Sequence, residues 1–308
     1  MPELKPVELQ DRDLVSSYLR RYPPEISEHT FTNLHVWRQS HPVSLLEHGG
    51  SLLLVAEGAD GVVLLGPPVG PLPVRDAVEV LHRAAGGRPV LALERLPESV
   101  AGHLDGHFVV EEDRANFDYV YRQRDLAELA GRDLHAKRNL VQRCLSANTC
   151  AYERITPALL GEVADMHRRW CEERDCDCDR DLGLCAEYQA IQELLIHYEW
   201  LGVIGGTVRV NGAIQAFAIG EPLNDHTAVV HFEKAMSSVQ GLYQVINQWF
   251  CRDELAAFEY VNREQDLGIP GIRKAKKSYH PHHMVKKYVV RVSGAPPRGS
   301  ARGSRPLL

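Results

Sequence analysis

The order strand, helix, strand, helix, strand occurs twice along the 308-residue chain, once over residues 62–121 and once over 227–292. No short-period repeat accompanies it, so the shared order reads as two copies of one α+β fold rather than as a solenoid. Each copy needs its own core, and 308 residues allow two domains of ordinary size. The sequence therefore predicts one domain over 1–130, a second over 131–292, and a disordered tail at 293–308, where Gly, Pro, Ser and Arg replace apolar periodicity.

Local signals give each copy a mixed, mostly antiparallel sheet flanked by helices. In the first half, helical spacing covers 11–22, 30–40 and 74–85, and Gly86-Gly87 closes the third helix. Ala59-Asp60-Gly61 makes a hairpin of the apolar runs 52–56 and 62–65, and further strands fall at 89–93, 106–110 and 117–121. In the second half, helices at 157–174 and 184–200 precede a three-stranded antiparallel meander, 202–210, 213–220 and 227–235. Its first turn is Asn211-Gly212, the pair that best fits a type I′ turn. A helix at 239–253, a strand at 257–261, a helix at 269–278 and a strand at 285–292 complete the chain.

Composition narrows the function classes. Thirty-five Lys and Arg against forty-one Asp and Glu give a net charge of -6, unlike a protein whose whole surface coats nucleic acid, although a local basic site is compatible with it. Apolar runs such as 51–56 and 213–219 fall far short of the roughly 20 residues that span a bilayer, and residues 1–9 lack a secretory core. The expectation is a cytoplasmic protein without integral membrane association. Seven cysteines, an odd number, suit free thiols in a reducing compartment. Cys171, Cys176, Cys178 and Cys185 lack the paired spacing of structural zinc. The interleaved Asp175, Asp177, Asp179 and Asp181 lack the Gly and Glu of a calcium loop, so no metal is expected. Neither a nucleophile elbow, nor a Walker loop, nor a dinucleotide fingerprint is present.

The densest chemical signal lies between Asn262 and Arg291, where eight Lys or Arg face two acids. Arg273 and Lys277 stand four apart on one helical face, a repulsive pairing that a phosphate or carboxylate between them relieves; a solvated basic helix is the plainer reading. On the strand at 228–235, period-two alternation puts His231 and Glu233 on one face, where either could take a proton from an attacking amine or hydroxyl, or both could serve the sheet as hydrogen-bonding groups. Glu221, on the preceding strand, shares that ambiguity. Gly241 opens a helix where free backbone N–H groups could meet an anion. Arg132, Lys137, Arg138 and Arg143 form a second basic cluster where the halves join.

Several segments in one order carry a resemblance: Phe31 to Arg38, Lys137-Arg138-Asn139, Gly220-Glu221, His231 to Ala235, and Tyr260 to Gly268. Together they resemble a bacterial family of unassigned function related to the C-terminal domain of phosphatidylglycerol lysyltransferase, over about 11–291. The resemblance implies two tandem GNAT-like acyltransferase domains, the second with the better-kept groove. It implies that two central strands splay apart, so that the gap between 227–235 and 257–261 holds the donor's acyl arm. Characterised relatives pass an aminoacyl group from charged tRNA to a hydroxyl or amine. The multispanning part of the lysyltransferase has no counterpart here, so the expected acceptor is a soluble small molecule or peptide rather than a lipid.

An aminoacyl ester needs alignment, removal of the nucleophile's proton and stabilisation of an oxyanion. For these tasks the sequence offers Glu233, assisted or replaced by His231, as base, and Arg273, Lys277 and Tyr279 for donor phosphates or the oxyanion. Asn262, Arg263 and Asp266 would orient the donor, Asp266 by gripping its α-amino group, while Lys137, Arg138 and Gly241 would extend the anion track. No tightly bound cofactor is expected, only aminoacyl-tRNA or acyl-CoA as cosubstrate. An acyl-CoA-dependent N-acyltransferase and a non-catalytic binding protein on the same fold are the alternatives.

Overall fold

The computed structural model describes residues 3–104, 108–174 and 182–292. The expected tail, Cys176, Cys178 and the four aspartates of that loop lie outside the described residues. The chain divides into two compact units. The first draws on residues up to 118 together with 265–269 and the segment from 285, and the second on 119–264 together with 270–284.

In the first unit seven strands form one sheet. They are β1 (Lys5–Pro6), β2 (Val43–His48), β3 (Ser51–Glu57), β4 (Val62–Leu65), β5 (Val90–Pro97), β6 (Phe108–Glu112) and β14 (Lys287–Val292), in the order β1-β2-β3-β4-β5-β14-β6. Only β4 and β5 are parallel, joined by helix α3 (Val74–Ala84). Ala77, Val80 and Leu81 of α3, spaced one helical turn apart, are buried in one apolar cluster with Val62, Leu64 and Leu93. Helices α1 (Arg12–Arg21), α2 (Phe31–Val36) and α4 (Glu98–Ala101) complete the unit.

The second unit repeats the plan. Its strands are β7 (Asp118–Arg122), β8 (Cys150–Arg154), β9 (Ile204–Val210), β10 (Ala213–Pro222), β11 (Thr227–Ala235), β12 (Tyr260–Asn262) and β13 (His283–Val285), in the order β13-β7-β12-β11-β10-β9-β8. Its helices are α5 (Gln123–Glu128), α6 (His135–Ala147), α7 (Leu160–Glu173), α8 (Leu182–Ile196), α9 (Tyr198–Leu201), α10 (Leu242–Asp253) and α11 (Pro270–Lys277). The meander β9-β10-β11 is antiparallel, and Asn211 and Gly212 both have positive φ, 50° and 91°, as a type I′ turn requires. β11 and β12 are the parallel pair, with α10 crossing between them. Leu242, Val245, Ile246 and Phe250 of α10 pack into one core with Ala216, Ala228 and Val230.

The sheets confirm the α+β, mostly antiparallel architecture but not a boundary at 130. β7 pairs with β12 in the second sheet, and β14 pairs with β5 and β6 in the first. Each half therefore gives its last strand to the other unit. Sequence order locates such strands without naming their partners, because an alternating apolar strand fits either half-buried sheet.

Among the described residues no helix is long and apolar enough to cross a membrane. Gly241, the N-cap of α10, has φ +84°, and a Cβ placed there would meet the carbonyl oxygen of Leu140 on α6 at 2.3 Å. Close packing of two helices therefore accounts for this glycine. Gly241→Ala is expected to lower the unfolding free energy by about 2 kcal/mol, through left-handed strain and overpacking; urea titration checks it.

Candidate active site

β11 is paired along almost its whole length on one side and over three residues on the other. β10 accompanies it from Ala228 to Ala235, whereas β12 accompanies it only from Thr227 to Val229 and ends at Asn262. Beyond Val229 that side of β11 has no ladder partner, because β12 ends at Asn262. Arg263 and Glu264, which follow β12, send their side chains back to Glu233 and His231 on the opened edge.

At that edge β11 carries a bulge. Ile219 pairs with Phe232 and its neighbour Gly220 with Val230, which leaves His231 as the extra residue. One extra residue resets a period-two alternation, so the expected common face of His231 and Glu233 does not exist. Glu233 falls on the side of α10, where its Oε2 accepts a hydrogen bond from Asn247 Nδ2 at 3.0 Å. Its Oε1 accepts one from Arg263 Nη2, also at 3.0 Å.

His231 is buried between two carboxylates. Nδ1 lies 2.9 Å from Glu264 Oε1 and Nε2 2.8 Å from Glu221 Oε1. Both carboxylates need a donor, so the ring is an imidazolium. Burial pulls its pKa down, but the hydrogen bonds and charges of Glu221 and Glu264 outweigh burial and carry it up to about 9. A ring protonated at neutral pH, with both nitrogens engaged, does not take a proton from a nucleophile. The role of base considered for His231 is corrected to that of a buried cationic bridge.

Tyr279, just past α11, is buried against β7. Its ring meets that of Tyr121 edge-on at 6.5 Å. Lys137 Nζ lies 4.4 Å from the Tyr279 ring centroid and Arg263 Cζ 4.9 Å from it. Burial pushes the Tyr279 phenol well above its usual range; Arg263 and a hydrogen bond with Gln244 oppose that rise, and Glu233 reinforces it. The phenol therefore stays protonated and is a proton donor. Burial, aided by Arg263, lowers the pKa of the Lys137 ammonium. Burial also pushes the nearby Cys251 thiol up to about 12, which makes it inert rather than nucleophilic.

Lys276 holds this arrangement in place, although the sequence pointed to its neighbours. Its Nζ donates to the Arg263 carbonyl at 2.5 Å, and its own carbonyl accepts from Tyr121 Oη at 2.8 Å and from the Tyr279 backbone N–H at 3.1 Å.

The other expected site residues divide by what they touch. Arg138 donates to the carbonyls of Leu129 and Gly131, closing the C-terminus of α5, which is a structural task. Asn262 is fully buried, and its Oδ1 accepts the Glu264 backbone N–H at 2.8 Å, which turns the chain out of β12. Asp266 belongs to the first unit, where it is fully buried and accepts from Gly268 N at 2.9 Å and Arg114 Nη1 at 3.1 Å. Those bonds occupy the carboxylate expected to grip an α-amino group. Arg273 and Lys277 lie on α11, the first partly exposed and the second exposed. Tyr121, Gln244 and Asn247 were not anticipated. Asn247 had a signal, as a polar residue among the apolar positions of α10; Tyr121 had none, because the strand exchange brings it here.

The sequence matches the family model described as phosphatidylglycerol lysyltransferase, C-terminal, over residues 19–291. The chain belongs to this family. A conserved protein of unknown function from Bacteroides thetaiotaomicron has a similar crystal structure, with a TM-score of 0.87 and 32% identity over 95% of this chain and 100% of that one. L-PGS from Bacillus licheniformis is similar at a TM-score of 0.64 and 14% identity, covering 96% of this chain and 95% of that one. FemX is similar at 0.54 and 10%, covering 92% and 96%. The last two likenesses concern the fold alone. No curated protein sequence matches the chain significantly. Its two mixed sheets flanked by helices have the α+β, GNAT-like form that the sequence implied.

Proposed function

We propose that the chain is a cytoplasmic acyltransferase that moves an aminoacyl group from aminoacyl-tRNA to an amine or hydroxyl of a soluble acceptor. The observation that carries this reading is Glu233, held by Arg263 and Asn247 on β11 beyond the end of β12, beside the protonated Tyr279. The nucleophile attacks the ester carbonyl while its proton passes to Glu233. The new bond to carbon forms, the bond to the tRNA 3′-oxygen breaks, and Tyr279 supplies the proton that the departing oxygen takes. The Tyr279 hydroxyl donates to the tetrahedral oxyanion before its proton passes to the departing oxygen, and Arg263 and Lys137, both at its ring, keep the surroundings positive. The Leu140 carbonyl pressed against Gly241 puts a negative dipole end at the start of α10, which disfavours a coenzyme A pyrophosphate there.

The test is retention of charged and uncharged tRNA pools across a salt series, with coenzyme A as competitor. Selective, salt-sensitive retention of one aminoacyl-tRNA is expected. Coenzyme A binding without tRNA retention would favour the acyl-CoA alternative, and failure of both would favour a binding protein. Lys277, exposed at the end of α11, extends the phosphate track with Arg273 in this reading. Lys277→Ala should weaken tRNA retention and reduce the slope of log K against log salt by roughly 0.7–0.9; an unchanged slope removes Lys277 from the track.

A further inference from the structure

The edge of β11 beyond β12 holds hydrogen-bonding groups that have no partner among the described residues. Arg263 directs Nη2 to Glu233, but its Nη1 is buried without a partner. Lys137 is half-buried, and its ammonium rests against the Tyr279 ring, with no carboxylate bonded to it among the described residues. On the acceptor side, Asn247 is almost wholly buried, and its Oδ1 has no partner while its Nδ2 serves Glu233. Orphaned buried polar atoms are costly, about 1–3 kcal/mol each, and a donor and an acceptor left open around one carboxylate call for a ligand that has both.

We propose that the acceptor of this transferase is an α-amino carboxylate, a free amino acid or short peptide, whose carboxylate is taken by Lys137 Nζ and Arg263 Nη1 and whose amine lies at Glu233 and Asn247 Oδ1. This rests on the transferase reading and names the substrate class of the same site. A carboxylate fits better than a phosphate for two reasons. The free donors are one guanidinium nitrogen and one ammonium beside the aromatic rings of Tyr121 and Tyr279, so a third anionic oxygen would face apolar surface. The guanidinium also already carries the anionic Glu233, which penalises a dianion. The amine held at Glu233 is then the nucleophile. Its nitrogen bonds to the aminoacyl carbonyl carbon as the ester C–O bond breaks, and its proton goes to Glu233.

Saturation-transfer NMR on the full chain, without tRNA, tests the site with alanine and dialanine as probes, each beside its carboxamide and beside inorganic phosphate. Binding of at least one carboxylate probe is expected, at least tenfold tighter than its carboxamide. Lys137→Met should abolish that preference and Lys137→Arg retain most of it. Alanine binding over dialanine indicates a free amino acid, the reverse a peptide, and both support the proposal. Equal affinity for the carboxamides, tighter binding of phosphate, or no binding by wild-type protein shown to be folded overturns it. A chain that retains charged tRNA yet binds no carboxylate probe keeps the transferase reading and loses this acceptor. A chain that binds the probes but no tRNA keeps the site and loses the donor.

Discussion

Replacing Lys287 with Met lowers the unfolding free energy of the first unit by about 3–5 kcal/mol, the usual cost of removing one partner from a buried ion pair. Lys287 on β14 is fully buried, and its Nζ lies 2.5 Å from Glu28 Oε2 and 2.7 Å from Asp118 Oδ1. Asp118 is fully buried too and is held by the backbone N–H and hydroxyl of Ser27, each at 2.9 Å. Burial pushes the Glu28 carboxyl upward, and Lys287 is the strongest influence holding it down, ahead of Arg95. Without Lys287 two carboxylates share an apolar interior with too little positive charge. The triple variant K287M/E28Q/D118N should recover at least half of the loss, because neutral amides carry no Born penalty. Urea unfolding measures both. A loss below about 1 kcal/mol for Lys287→Met would mean that water reaches the network.

His231 gives the second large effect, and it depends on pH. Its folded pKa, about 9, stands above the unfolded value of 6.5. The bridge to Glu221 and Glu264 therefore contributes fully below pH 6.5 and is lost as pH rises through 9. The gap corresponds to roughly 3 kcal/mol at about 1.4 kcal/mol per pH unit. Wild-type protein should lose that much more stability than His231→Gln between pH 6 and pH 10 in urea titrations. Parallel curves would show that the imidazole is neutral in the folded chain. Because Glu264 follows Arg263 directly, the same rise in pH should loosen the turn that aims Arg263 at Glu233.

Legibility varied with the range of the physics involved. The Asn211-Gly212 turn, the meander and the α10 crossover rest on local dihedral preference and on spacing within one element, and all were readable. The exchange of β7 and β14 was not, since pairing between strands far apart in sequence leaves no local mark. The bulge at His231 was hidden for a related reason: it is a mismatch between two strands, and either strand alone reads as regular alternation. That one residue separated Glu233 from His231 and changed the chemistry assigned to both. Both basic clusters, after β12 and on α6, were visible, but only a structure distinguishes Arg138 and Lys276, spent on backbone carbonyls, from Lys137, which is not.

The most direct test of the account is transfer itself. The chain is incubated with tRNA charged with labelled amino acids, together with unlabelled amino acids and dipeptides, and labelled amide product is counted for wild type, Glu233→Gln and Tyr279→Phe. The account predicts product from wild type with at least one charged tRNA, and a rate lower by roughly 10²–10³ in each variant, the scale of losing proton transfer or an oxyanion donor. Equal product rates in wild type and both variants, or product only when acetyl-CoA replaces charged tRNA, would contradict it.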